Sequence, residues 1–207
     1  MKLKEVGLEV ELFLLNKNNQ ILEPSIFGFP SDEMGFLIEV RSHHSNTGKS
    51  VLESLKAGID WNKRKADKLG LTVDLCPFKK VDGFFQKRIA EKYHHDRMPD
   101  QTRNIYGRFV SHHTGLHDGL ATAGMHVHFS TRDINLETNT SRIVELPVER
   151  IVRMMDDAFP EIEPVYGRIK GEYELKCHGF EYRSLPCNAK PERVVKTALS
   201  ILNEEQP

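Results

Sequence analysis

Over residues 6–14 the chain alternates without a break, with Val6, Leu8, Val10, Leu12 and Leu14 on one side and Gly7, Glu9, Glu11 and Phe13 on the other. A two-residue period defines an extended strand, and its aliphatic side belongs in a core. The turn composition of "NKNN" follows, with "QIL" as a short return strand. Residues 34–42, "MGFLIEVRS", form the next strand, with Phe36, Ile38 and Val40 opposed to Leu37, Glu39 and Arg41. Apolar positions at Val51, Leu52, Leu55, Ile59, Ala66 and Leu69 recur at spacings of three and four and predict a helix over 49–69, with Thr47 as its cap and Gly70 as its stop. The pattern then gives a strand in "LTVDL", a shorter helix in "FFQKRIAEKYH", and a long loop region over 94–122. In "GMHVHFS", residues 124–130, Met125, Val127 and Phe129 oppose His126 and His128. A helix in "ELPVERIVRMMDDAFPEI" with Pro147 near its first turn, a strand in "FEYRSLP" and a terminal helix in "KPERVVKTALSILN" complete the chain. Strands with one polar face each favour an antiparallel sheet with helices on its back, an α+β arrangement, over a doubly wound parallel sheet.

Composition narrows the picture. A length of 207 residues suits a single domain, 1–207. Charged residues make up 29%, and no apolar run approaches the roughly 20 residues of a membrane span. The 29 basic and 30 acidic side chains leave a formal charge of -1, so neither nucleic acid nor a membrane surface is expected as a partner. Cys76, Cys177 and Cys187 fit neither a disulfide framework nor a CxxC zinc site, which points to a reducing, cytoplasmic setting. The acids at 5, 9 and 11 make the N-terminal stretch a strand and not a leader peptide.

Four strands carry polar, metal-capable side chains at alternate positions: Glu9 and Glu11, Glu39 and Arg41, His126 and His128, Glu181 and Arg183. Singly, an E-x-E, an H-x-H or an E-x-R is commonly a solvated face or a surface ion pair of little worth. Jointly they describe one shared face. Carboxylates gathered there repel one another and raise each other's pKa unless cations lie among them. Oxygen-rich ligation suits Mg²⁺ or Mn²⁺, and an added imidazole favours Mn²⁺ of the two. Interleaved arginines are the usual partners of phosphate, because a planar guanidinium grips two oxygens at once. The set describes a site for a metal-bound nucleoside triphosphate.

"GLEVE", "FLIEVRS", "AGMHVHFS" and "HGFEYRSLP" occur in the order in which the glutamine synthetase-like carboxylate-amine ligases carry their G-x-E-x-E, second acidic strand, G-x-H-x-H and E-x-R motifs. "YGRIKGEYELKCHGFEYRSLP" resembles the closing segment of the phage amidoligases of that superfamily. The resemblance implies a curved antiparallel sheet with helices on its convex face, and a concave face holding Mg²⁺ or Mn²⁺ between ATP and a carboxylate substrate. Glu9, His126 and Glu181 match the ligands of one metal, and Glu11 and Glu39 those of another. Arg183 matches the arginine that contacts the transferred phosphate, while His128, Arg41 and Lys176 are nucleotide or substrate contacts, with Arg41 and Arg183 the catalytic candidates. The implied reaction is phosphorylation of a carboxylate by ATP to an acyl phosphate and attack by an amine to give an amide. Where the family usually has an arginine ahead of the E-x-R strand this chain has Glu174, with Arg168 or Lys170 as substitutes. A metal-dependent phosphotransferase or hydrolase on the same scaffold and a catalytically silent binding module are the rival readings. The two substrates and the oligomeric state are not encoded in these motifs.

"SNTGKS" ends like a phosphate-binding loop but has His43 where that motif needs its first glycine. Adjacent histidines on a strand face opposite ways, so the pairs at 43–44, 94–95 and 112–113 read as surface or loop residues. Cys177 and Cys187 flank the E-Y-R strand as incidental thiols, and "NKRKADK" is the solvated side of the 49–69 helix.

Overall fold

The computed structural model describes residues 3–32, 35–81, 83, 85, 87, 102–107, 116, 117, 119–131, 146–162, 169–176 and 178–204. Most of the "FFQKRIAEKYH" helix, the pairs His94–His95 and His112–His113, Arg168 and Cys177 lie outside the described residues.

The architecture is α+β. The main sheet has seven strands, and every pairing in it is antiparallel. Its longest strand is β1 (Glu5–Leu15), flanked by β2 (Leu37–Arg41) on one edge. On the other edge β1 pairs β8 (Gly124–Ser130) along its first half and β3 (Thr72–Asp74) along its second. Outward from β8 follow β10 (Gly179–Pro186), β9 (Glu172–Lys176) and β5 (Thr102–Asn104). A separate three-stranded sheet joins β4 (Phe78–Lys80), β7 (Leu120–Thr122) and β6 (Leu116–His117). Strands β5, β6 and β7 fall within 94–122, where the sequence pattern indicated only a loop. Each is two or three residues long, too short to show a period.

The aliphatic face of β1 is sealed as its alternation requires: Val6, Leu8, Val10, Leu12 and Leu14 are all buried, with Ile38, Val40, Met125, Val127, Phe129 and Phe180 beside them. Helix α1 (Gly48–Lys68) packs on β1, β2 and β3, and α3 (Pro191–Glu204) packs on α1 and β1. At Gly58 a Cβ would come within 2.6 Å of Val40, so the missing side chain is what lets α1 lie this close to the sheet. Helix α2 (Val148–Ala158) packs on α3 and β10, and supplies one buried acid to this layer. Asp156 accepts hydrogen bonds from the Tyr182 hydroxyl (2.7 Å), the Tyr106 hydroxyl (2.9 Å) and the Gly171 amide (3.3 Å). A buried carboxylate with three donors avoids the cost of an unsatisfied one.

Two local expectations change. The return strand at "QIL" is a single bridge between Leu15 and Ile21, because Asn16 and Gln20 close a tight turn and the chain then leaves. Thr47 occupies the cap position of α1, but its hydroxyl lies against Ser45 Oγ (3.1 Å) and caps nothing. The other end behaves as expected. Gly70 takes a positive φ of 67°, and the amides of Gly70 and Leu71 return to the carbonyls of Asp67 and Ala66.

Candidate active face

Cross-strand register assembles the polar face. Glu9 lies directly opposite Arg41 on β2 and His126 on β8, and Glu11 opposite Glu39. On the outer side Glu181 of β10 lies opposite His128 on β8 and Glu174 on β9. Between Tyr182 and Leu185 the β10 register slips, so that Arg183 and Ser184 together face the one residue His126. Such a bulge re-aims the strand and restores the alternation beyond it, returning Leu185 to the aliphatic side. All eight residues picked out on four strands therefore share one face, together with Lys176.

The face is tightly cross-linked. His126 Nδ1 lies 2.9 Å from Glu9 Oε1 and 2.8 Å from Glu181 Oε1, and its Nε2 lies 3.7 Å from Glu11 Oε1. Arg41 donates to Glu9 (2.5 Å) and Glu39 (2.7 Å), and the Gly124 amide donates to Glu11 (2.5 Å). Arg183 donates to Glu181 (2.6 Å) and Glu174 (3.1 Å), while Lys176 pairs with the same two acids at 3.1 and 2.7 Å. Glu9, Glu11, His126, His128 and Glu181 are buried. Arg41 is the exposed member, its side chain 66% accessible.

These contacts revise the expectation of mutually raised acids. Burial works to raise Glu9 and Glu181, yet His126, His128 and, for Glu181, Arg183 outweigh it and hold both well below the ordinary carboxylate range. Glu39 moves the other way: burial first, and then the charge on Glu9, push it up to about 8. For His126 burial and Arg183 oppose the charged form, but Glu11 and Glu181 win and raise it to about 9. The protein's own cations thus stand among the acids, and Glu39 and His126 are both shifted toward their protonated forms.

Three participants escaped the sequence reading, and a fourth, Glu174, was noted there only as a departure from the motif. Asp32 accepts the amides of Phe36 and Leu37 at 3.0 Å each, and burial together with Glu11 raises it to about 7. Glu174 binds the two cations nearest the end of the face. His44 and His178, the remaining two, meet His128, with ring centroids 5.2 to 5.7 Å apart. His44 is exposed, as the surface reading of the 43–44 pair expects, yet its ring meets those of His128 and His178. Among the discounted groups, Cys187 is buried with its thiol on the Leu75 carbonyl, away from these acids.

As a donor set the face offers many carboxylate oxygens and few imidazoles, the chemistry of Mg²⁺ or Mn²⁺. Glu9, His128 and Glu181 each present a ligand atom within 4.8 Å of the others. Among the described residues no helix is long and apolar enough to cross a membrane. Compared with known proteins, the chain matches no family model, no curated protein and no solved structure.

Proposed function

We propose that this chain is an ATP- and Mg²⁺- or Mn²⁺-dependent carboxylate-amine ligase, forming an amide through an acyl phosphate, on a glutamine synthetase-like sheet. The reading rests on one observation: acids and imidazoles from β1, β2, β8 and β10 meet on one face with Arg41, Arg183 and Lys176 at its margins. Glu9, Glu11, Glu39, His126 and Glu181 would hold the divalent ions, which when bound neutralise phosphate charge and shield it from the acids. Arg183 is placed to take a phosphoryl oxygen in its fork once it leaves Glu174. Lys176 and His128 border the same space, and Arg41 stands at the solvent mouth where a carboxylate substrate would arrive. Catalysis of this kind is mainly positioning and charge stabilisation, and buried, strand-mounted groups provide both.

Glu174 favours a second reading, a catalytically silent binding module, because it already neutralises the two cations that a triphosphate needs. Calorimetry with ATP and Mn²⁺, followed by ADP release across pooled amines and carboxylates, decides the matter. The ligase should bind ATP only with the metal and release ADP only when amine and carboxylate are both present. Binding without ADP release supports the silent module, and ADP release with a guanidine alone supports a phosphotransferase. No metal-dependent ATP binding overturns the ligase and the phosphotransferase and favours the silent module.

A further inference from the structure

His44, His128 and His178 come from three different elements. His128 is on β8, opposite Gly7 of β1, and His178 sits at the turn where Lys176 of β9 pairs with Gly179 of β10. His44 is set by a bulge. The Ser42 amide donates to the Leu8 carbonyl, and Ser45 exchanges two backbone hydrogen bonds with Val6, so two residues, His43 and His44, face the single residue Gly7. Ser42 Oγ accepts from the Leu8 amide (2.8 Å) and Ser54 Oγ from the His43 amide (2.9 Å), which fixes this strap at two further points. The His44 ring then lies over Gly7, where a Cβ would come within 2.6 Å of its Nε2. The glycine is what admits the ring.

One nitrogen from each histidine lies within 4.8 Å of the other two. Moreover, both ring nitrogens of His128, a residue 7% exposed, and Nε2 of His178 are buried without a hydrogen-bond partner. Buried polar atoms left unmatched cost free energy, and a ligand is one way they are satisfied. Lys176 borders the cluster, and among the described residues the three nitrogens gather without a carboxylate oxygen in their group, so its chemistry differs from that of the neighbouring acids.

We propose that His44, His128 and His178 bind a zinc-class divalent ion at a site that adjoins the acidic one and has His128 in common with it. Three neutral imidazoles suit a borderline ion such as Zn²⁺ or Co²⁺ and suit Mg²⁺ poorly. Tetrahedral ligation at about 2.0 Å needs nitrogens roughly 3.3 Å apart, which a small inward turn of the rings supplies, and leaves a fourth position for water or substrate. The exposed His44 provides the entry path. His128 has a second nitrogen toward Glu9 Oε2 (3.6 Å), which places the ion beside the acidic site without sharing its carboxylates.

This inference does not rest on the ligase reading. The test uses the full chain without a histidine tag, titrated with Zn²⁺ against a chromophoric chelator and with Co²⁺ for its visible spectrum, no nucleotide being present. Wild type should take up one Zn²⁺ and show the intense Co²⁺ bands of tetrahedral nitrogen ligation. His44→Ala changes an exposed ring and leaves the core alone; it should weaken Zn²⁺ binding about 100-fold or more, since even losing an outer partner of a ligand costs about 10- to 100-fold. His178→Gln should do the same, and Glu39→Gln should leave Zn²⁺ affinity unchanged. Absent Zn²⁺ uptake, or uptake that survives both histidine substitutions and falls with Glu39→Gln, would overturn the proposal. Failure of ATP binding with His44-dependent Zn²⁺ uptake intact would sink the ligase reading alone.

Discussion

The two faces of the central sheet are built from the same strands, residue by residue in alternation, and they solve opposite problems. On the helix side Phe129 stacks on Phe180 with ring centroids 4.9 Å apart, and the one acid in that layer, Asp156, has three donors. On the other side five carboxylates, Glu9, Glu11, Glu39, Glu174 and Glu181, meet three permanent cations, Arg41, Arg183 and Lys176, helped by a protonated His126. The first face is complete in itself. The second is balanced by holding protons on groups that would ordinarily be without them or would share them with water, and it borders the ring nitrogens of His128 and His178 Nε2, which have no hydrogen-bond partner. One face therefore serves stability, and the other is left poised for cations.

Exchanging one residue on each face should expose that difference most strongly. Phe129→Ala removes a fully buried ring and should cost about 3–5 kcal/mol in urea unfolding, while any folded fraction keeps its Mn²⁺ affinity. Glu181→Gln leaves Arg183 its bond to Glu174 and should cost less, about 1–3 kcal/mol, yet should abolish Mn²⁺ binding. Equal Mn²⁺ affinity in wild type and Glu181→Gln would remove the acid from any ligand set.

The protons on the polar face give a second contrast. Glu39 and His126 are raised in the folded chain, so their contribution to stability is present below their ordinary values of 4.5 and 6.5 and is lost as pH rises through about 8 and about 9. Glu9 and Glu181 are lowered, so theirs is present above 4.5 and is lost as pH falls. Thermal stability without metal should accordingly be greatest in mild acid and decline toward pH 9. Mn²⁺ should reverse the alkaline decline by taking the place of the protons, releasing about two per site at pH 7 in calorimetry with buffers of different ionisation enthalpy. Glu39→Gln should release one fewer. Binding without proton release would mean that neither group is displaced.

Much of this design was legible in the sequence because a strand has a period of two: acids or imidazoles at i and i+2 in "GLEVE", "FLIEVRS", "GMHVHFS" and "FEYRS" must share a side, and the intervening aliphatics fix which side is the core. The α1 helix was legible for the same reason at period 3.6, down to the left-handed Gly70. What escaped depends on pairing and not on period. His44 reaches the face through a bulge that only the register of β1 against residues 42–45 defines, and His178 through a hairpin turn. Gly7, which clears space for a ring from a distant segment, carries no local sign of that duty. Asp32 joins the acids from a loop, and strands as short as β5 to β7 offer too few positions for any alternation.

The smallest expected effect concerns the junction between the two faces. Thr47 begins α1, a helix of the stable side, and its backbone has the extended geometry of a cap (φ −119°, ψ 125°). A capping threonine typically contributes about 1 kcal/mol. Here the hydroxyl and amide of Thr47 both meet Ser45 Oγ at 3.1 Å, so the side chain serves the strap that carries His44 and leaves the helix amides alone. Thr47→Ala should therefore change unfolding free energy by no more than about 0.5 kcal/mol, as an ordinary surface exchange does. A loss of a full cap's worth would show that the hydroxyl turns to the helix in solution and that the strap is held by its backbone pairing with β1 alone.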